Sequence, residues 1–502
     1  GEKRGSSPGG GGPSKKKWVP PGARGISQGP LPGKFLIEKF FSLHSILKPW
    51  RSTRVTVSTL VLLLLFFSAP TNATRPPATL RIPVVHRDAV FPPPPGASRG
   101  SLLSRRAAAD AARLPTPRAT PPSRRPSGLG LRSSSAHDDR LHSPVMSGLP
   151  FDSGEYFASV GVGTPSTSAL LVIDTGSDLI WLQCKPCRRC HRQMSPLYDP
   201  KGSSTYRQIP CSSPRCFPRH GCDTSTGACG YAMVYGDGSG SRGNLATDRL
   251  VFSNDTSVDS VVIGCGHDNA ELFDSSAGVL GVGRGAGSLA TQVAPTYGRY
   301  FAYCLGDRTS VARSSASYLA FGRTPEPPST AFTPLLSNPR RPNLYYVNMA
   351  GFSVGGERVA GGFCSSSLWL DPATGRGGVV VDSGTSISRL PRDVYAALRD
   401  AFDARAAAAG MRRLARGISV FDACYELRGA SVPAVVLHFA GGADVALPPE
   451  NYFIPEQGGK YHCLALEATD DGLSVLGNVL QQGFRVVFDV EKERVGFAPN
   501  GC

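Results

Sequence analysis

The 502-residue sequence predicts a mainly β protein built as two similar lobes related by a pseudo-twofold axis, with a few short helices. Two observations carry that expectation. From Gly154 onward, short apolar runs rich in β-branched and aromatic residues are separated by Gly, Pro, Asn and Asp, as in EYFASVGVG, SALLVID, DLIWLQC, SVVIGCG and FRVVFDV. That is the texture of short strands joined by turns. In addition, residues 171–177 (LVIDTGS) recur as residues 379–385 (VVVDSGT), 208 positions downstream, and an internal repeat implies a duplicated structural unit.

The N-terminal part reads differently. Residues 1–150 hold 23 Lys and Arg against 6 Asp and Glu, whereas residues 151–502 hold 31 against 32. The formal charge of +16 therefore belongs to the leader, and the rest offers no electrostatic reason to bind nucleic acid or acidic lipid. Within a basic leader spanning residues 1–73, residues 55–69 (VTVSTLVLLLLFFSA) form a 15-residue apolar run behind Lys48, Arg51 and Arg54, with small residues at Thr71 to Ala73 after it. A membrane span needs about 20 apolar residues, so the run reads as a cleaved signal. A type II anchor is the alternative, and membrane contact is expected only through this segment. Residues 1–50 are assigned no function. Residues 74–147, rich in Pro, Arg, Ser and Ala, read as a removable prosegment without a core of its own; only residues 101–114 (SLLSRRAAADAARL) have helix-forming composition.

The remaining chain divides by the repeat into an N-terminal lobe, 148–335, and a C-terminal lobe, 336–502. The clearest helix is expected over residues 391–409, with Pro391 just inside its start, Val394, Leu398, Ala401 and Phe402 on one face, and Gly410 after its end. Asn254-Asp255-Thr256 is a glycosylation sequon. The ending GFAPNGC carries no apolar tail of the GPI kind. All 13 Cys lie at or after Cys184, a density that reads as a disulfide framework formed in an oxidising compartment. The expected destination is the secretory route, ending outside the cell, in the wall or in the vacuole, with the plastid as an alternative.

Each repeat ends an apolar strand on Asp, followed by a hydroxyl residue, Gly and a second hydroxyl. Each is also followed by an apolar-apolar-Gly element, with Gly281 107 residues after Asp174 and Gly477 95 residues after Asp382. Two carboxylates brought close cannot both ionise cheaply, so they share a proton and titrate as a pair. One then activates a water while the other, protonated, polarises a carbonyl. Gly176 and Gly384 allow the loops to approach, and Thr175, Ser177, Ser383 and Thr385 can hold the carboxylates in place. This chemistry requires no metal or cofactor.

On these motifs, on the YGDGS segment at Tyr235 to Ser239 and on the ending LGNVLQQGFRVVFDVEKERVGFAPNGC, residues 151–502 resemble the pepsin-like aspartic endopeptidases, specifically the cysteine-rich plant group typified by nepenthesin. The resemblance implies two β-barrel-like lobes, catalytic Asp174 and Asp382, and an acidic optimum. Protein or peptide substrates would lie across the cleft of a monomer. It places Tyr235, with Gly236, Asp237, Gly238 and Ser239, at the tip of a flap, and Trp181 as the prop of Tyr235. The second motif carries Ser383 where pepsin has Thr, and the hydroxyl survives. By the same resemblance the disulfides would be Cys184–Cys187, Cys190–Cys265, Cys211–Cys229, Cys216–Cys222, Cys304–Cys502 and Cys424–Cys463, which leaves Cys364 over. From spacing alone, the cluster Cys184, Cys187, Cys190 and His191 is also open to a zinc reading. The competing class is a catalytically silent pepsin-fold binding or inhibitor protein.

Overall fold

The computed structural model of the chain describes residues 80–86, 156–216, 221–235, 239–252, 256–270, 276–306, 317–360, 367–470 and 472–502, all within the unit Thr74–Cys502. The apolar segment 55–69, the expected helix 101–114, Asn254, the flap residues Gly236, Asp237 and Gly238, and Cys364 lie outside the described residues.

The sequence repeat is a structural one. In the first half, strand Thr167–Asp174 pairs antiparallel with Tyr156–Val162 and in parallel with Gly278–Gly281, which sets Gly281 opposite Asp174. In the second half, Val379–Val381 pairs antiparallel with Tyr346–Val347 and in parallel with Ser474–Leu476. In each case a buried apolar strand, too hydrophobic to face water on either side, delivers an Asp at its end: Leu171, Ile173, Val379 and Val381 are fully buried.

The halves are sewn together by one large sheet. Tyr300–Cys304 lies between Tyr318–Phe321 and Arg485–Asp489, so the chain's last two strands, Arg485–Asp489 and Arg494–Ala498, return to the sheet begun by the first half. Phe301 stacks on Phe488 with centroids 4.6 Å apart at this seam. Cys304 and Cys502, 198 residues apart in sequence, are bonded there.

One strand corrects the reading of residues 74–147 as wholly coreless. Leu80–His86 inserts between Tyr318–Phe321 and Tyr156–Val162, burying Leu80, Ile82 and Val84. Its LRIPV alternation is the two-residue period of a strand with one buried face, hidden in the average composition of its surroundings.

The helix is Arg392–Ala408, with Pro391 as its extended N-cap instead of its first helical residue. Val394, Tyr395, Leu398, Phe402 and Ala406 are its buried residues, and Gly410 follows with φ of +88°. The fixed φ of proline suits the start of a helix, and glycine takes the left-handed turn beyond its end at little cost.

Candidate active site

Asp174 and Asp382 lie at the ends of the two equivalent strands, both largely buried. Their loops interlock reciprocally. The Thr175 N–H donates to Ser383 Oγ at 3.2 Å and the Ser383 N–H donates to Thr175 Oγ1 at 2.9 Å. The hydroxyls then pass on to the opposite strand, Thr175 Oγ1 to Val381 O at 3.1 Å and Ser383 Oγ to Ile173 O at 2.9 Å. Both hydroxyls are fully buried, where an unpaired donor would cost about 1–3 kcal/mol. Four mutual bonds therefore fix the spacing of the two loops.

Inside that frame each carboxylate is held in the same way. Asp174 Oδ1 accepts the Gly176 N–H at 2.8 Å and Asp382 Oδ1 accepts the Gly384 N–H at 2.9 Å. Ser177 Oγ donates to Asp174 Oδ2, and Thr385 Oγ1 donates to Asp382 Oδ2 at 2.8 Å. The glycines are required by closeness: a Cβ on Gly384 would stand 2.3 Å from Asp174 Oδ1, and one on Gly176 would stand 2.8 Å from Asp382 Oδ2. Burial, together with the Asp174 charge beside it, pushes the Asp382 carboxyl well above the usual carboxylate range, against the pull of its hydrogen bonds from Thr385 and Gly384. Such a pair holds one proton between two acids.

Tyr235 closes the first half of the site. Trp181 Nε1 donates to its hydroxyl at 2.8 Å, and both rings are buried with Leu179, Tyr231 and Val279. Burial and then the Asp174 charge raise the Tyr235 phenol, so it stays neutral. Trp181 thus meets Tyr235 as expected. Ser239 is buried, and Gly236, Asp237 and Gly238 lie outside the described residues.

Two supporting residues were not singled out from the sequence. Gln481 Nε2 donates to Asp382 O at 3.2 Å and to Leu476 O at 2.7 Å, while its Oε1 accepts the Tyr303 hydroxyl. Asn478 Nδ2 donates to Ser383 O at 3.0 Å. The signal was the polar run N-V-L-Q-Q directly after the second apolar-Gly element, where an all-apolar strand continuation would otherwise be expected.

The cysteines correct four of the six expected pairings. The structure joins Cys184 to Cys265, Cys187 to Cys190, Cys211 to Cys222 and Cys216 to Cys229, and retains Cys304–Cys502 and Cys424–Cys463. The reason lies in strand register. Trp181–Gln183 runs parallel to Ser257–Ala270 with Leu182 opposite Cys265, which brings Cys184 to 5.3 Å from Cys265 between Cα atoms and leaves Cys187 and Cys190 to close their own turn. Cys222 sits across the ladder from Cys229, yet each bonds a residue of the preceding loop. The zinc reading fails with this pattern: Cys184, Cys187 and Cys190 are consumed, and His191 Nε2 lies 2.9 Å from Ser276 O. No group suited to holding a metal ion is found among the described residues.

Two duplicated lobes meeting on interlocked Asp loops define the bilobal pepsin-like class of proteins. The chain belongs to the aspartyl protease family: it is 49% identical over 366 residues, 72% of this chain and 73% of the relative, to Aspartyl protease family protein 2 of Arabidopsis thaliana. It is 34% identical over 359 residues, 70% of this chain and 78% of the relative, to aspartic proteinase nepenthesin-1 of Nepenthes gracilis. Residues 156–323 match the family described as xylanase inhibitor N-terminal, and residues 344–499 the family described as xylanase inhibitor C-terminal. The crystal structure of edgp shares the fold with a TM-score of 0.58 at 21% identity, over 69% of this chain and 91% of that one.

Proposed function

We propose that the protein is an aspartic endopeptidase that hydrolyses peptide bonds of protein substrates through a water activated by the Asp174/Asp382 pair. The observation that carries this reading is the reciprocal setting of the two carboxylates, each bonded within its own motif and pressed against the glycine of the other. In this reading Asp382 keeps the shared proton, because it is buried beside the Asp174 charge. Asp174 takes a proton from water as its oxygen bonds to the scissile carbonyl carbon, and Asp382 gives its proton to the carbonyl oxygen. As the resulting diol collapses, Asp174 gives its proton to the leaving nitrogen, Asp382 takes one from a diol hydroxyl, and the C–N bond breaks, which returns the pair to its starting state. The Trp181–Tyr235 pair covers substrate and keeps bulk water from the pair.

An acidic optimum follows from the need for one proton per pair. The disulfide framework supports passage through an oxidising compartment, and we place the working enzyme outside the cell, in the wall or in the vacuole. The basic segment 74–147 is read as a prosegment that stays docked on the body of the protein through the strand Leu80–His86 until it is removed.

The names of the matched family models, xylanase inhibitor N-terminal and C-terminal, favour a second reading as a non-catalytic binder. Cleavage of a denatured protein near pH 4 separates the two. The protease reading expects cleavage by the processed wild type, inhibition by pepstatin, and loss with Asp174→Ala and with Asp382→Ala. Equal activity in either variant, or none in the wild type, would reject it.

A further inference from the structure

Asp178, four residues after Asp174, is a half-buried carboxylate that the proposed chemistry does not use. Burial lifts its carboxyl to about 6 against the pull of the Gly285 N–H, which donates to Asp178 Oδ1 at 2.8 Å. The segment that receives it is G-V-G-R-G, residues 281–285, with glycine at every second position. All three glycines face Asp178. A Cβ on Gly281 would stand 2.4 Å from the Asp178 backbone, one on Gly283 2.4 Å from Asp178 Oδ1, and one on Gly285 2.2 Å from Asp178 Oδ2. A run with no side chain on one face is thus a cradle shaped to the carboxylate.

That cradle is also what holds Asp174 from behind. The Val282 N–H donates to Asp174 O at 2.8 Å and the Gly283 N–H donates to Ser177 O at 2.8 Å, while Tyr345 Oη donates to Val282 O at 2.9 Å from the second half of the chain. The residue that occupies the place of Asp178 in the second repeat is Ser386, and after Gly477 the chain reads Asn478, Val479, Leu480, Gln481 and Gln482, with no glycine before Gly483. There the backbone bonds are kept, the Asn478 N–H donating to Thr385 O at 2.7 Å and the Val479 N–H to Ser386 O at 3.2 Å, and the Gln481 and Asn478 side-chain amides add bonds to Asp382 O and Ser383 O. The two lobes thus share backbone bracing and differ in the side chains that secure it, a carboxylate in the first and amides in the second.

We infer that Asp178 is a positioning residue, clamping the 281–285 loop so that the Asp174 carboxylate keeps its place opposite Asp382. The inference rests on the protease reading above. Its test is steady-state cleavage of a peptide by the processed, disulfide-intact enzyme, with active sites counted by pepstatin titration. Asp178→Ala is expected to lower kcat about tenfold or more while KM stays within about twofold, because binding surfaces are untouched. Asp178→Asn, which keeps an acceptor for the Gly285 N–H, restores most of kcat. Gly285→Ala, whose Cβ would displace Asp178, reproduces the Ala variant. Should Asp178→Ala fail to fold, Asp178→Ser gives the same readout, since the second lobe accommodates Ser386 at the equivalent place. Unchanged kcat in the Ala or Ser variant, a loss through KM alone, or an Asn variant no better than Ala overturns the inference while an active wild type keeps the protease reading. A wild type that neither cleaves nor binds pepstatin overturns both.

Discussion

At the scale of single residues, the site is governed by closeness. Gly384 and Gly176 have ordinary backbone angles, so their role is steric: each leaves room for the other lobe's carboxylate. Gly384→Ala is therefore expected to fold, since only the carboxylate need move, but to lose about 100-fold or more in kcat through misplacement of Asp174; a variant with wild-type kcat would show that the loops have slack. Trp181→Phe removes the bond to Tyr235 and also leaves a cavity where part of a fully buried indole stood. A stability loss of about 2–3 kcal/mol is expected, together with a raised KM as Tyr235 loses its anchor, read by thermal melts and steady-state kinetics. The two Asp, the glycines and the four hydroxyls were legible because the chain states them twice. Asp178, Asn478 and Gln481 were not, because each occurs in one half only and its use depends on a loop distant in sequence.

At the scale of elements, ladders decide what sequence spacing leaves open. Cys184, Cys187 and Cys190 can close several small rings, and the parallel register of Trp181–Gln183 on Ser257–Ala270 selects one. Thiol labelling of the unreduced protein tests this directly. Cys211→Ser is expected to expose Cys222 as the newly reactive thiol and Cys184→Ser to expose Cys265; labelling of Cys229 or Cys187 in their place would restore the other pairing. The helix Arg392–Ala408 was legible because its apolar period, its proline and its glycine agree. The strand Leu80–His86 was not, since its partners lie at least 70 and more than 230 residues away and its alternation is short.

At the scale of the whole molecule, buried acids set the pH of greatest stability. Burial raises Asp178 to about 6 and Glu456 to about 7, and Asp382 is raised as well. Above an ordinary carboxylate pKa of about 4 the unfolded chain releases these protons while the fold keeps them, so each such group lowers stability by up to about 1.4 kcal/mol per pH unit until its folded value is reached. Asp489 works in the opposite sense: its burial pulls up, but Arg323 and Arg494 hold it below the usual range. The stability it contributes is present above the unfolded value and is lost as pH falls through the folded one. Thermal melts of the disulfide-intact protein should accordingly peak in the acid range and fall from about pH 5 to pH 7, and Glu456→Gln should flatten that fall. A melting temperature that rises toward pH 7 would contradict the assignment.

The sequence by itself determined the two-lobed β architecture and the identity of the paired acids, because strand periodicity and a duplicated Asp motif are local patterns that survive reading one residue at a time. Only the tertiary structure decided which cysteines meet, that residues 80–86 complete the central sheet, and that Asp178 lies in a cradle of three glycines. Those outcomes depend on register and on distances between segments far apart in the chain, and such quantities exist only once the backbone has closed on itself.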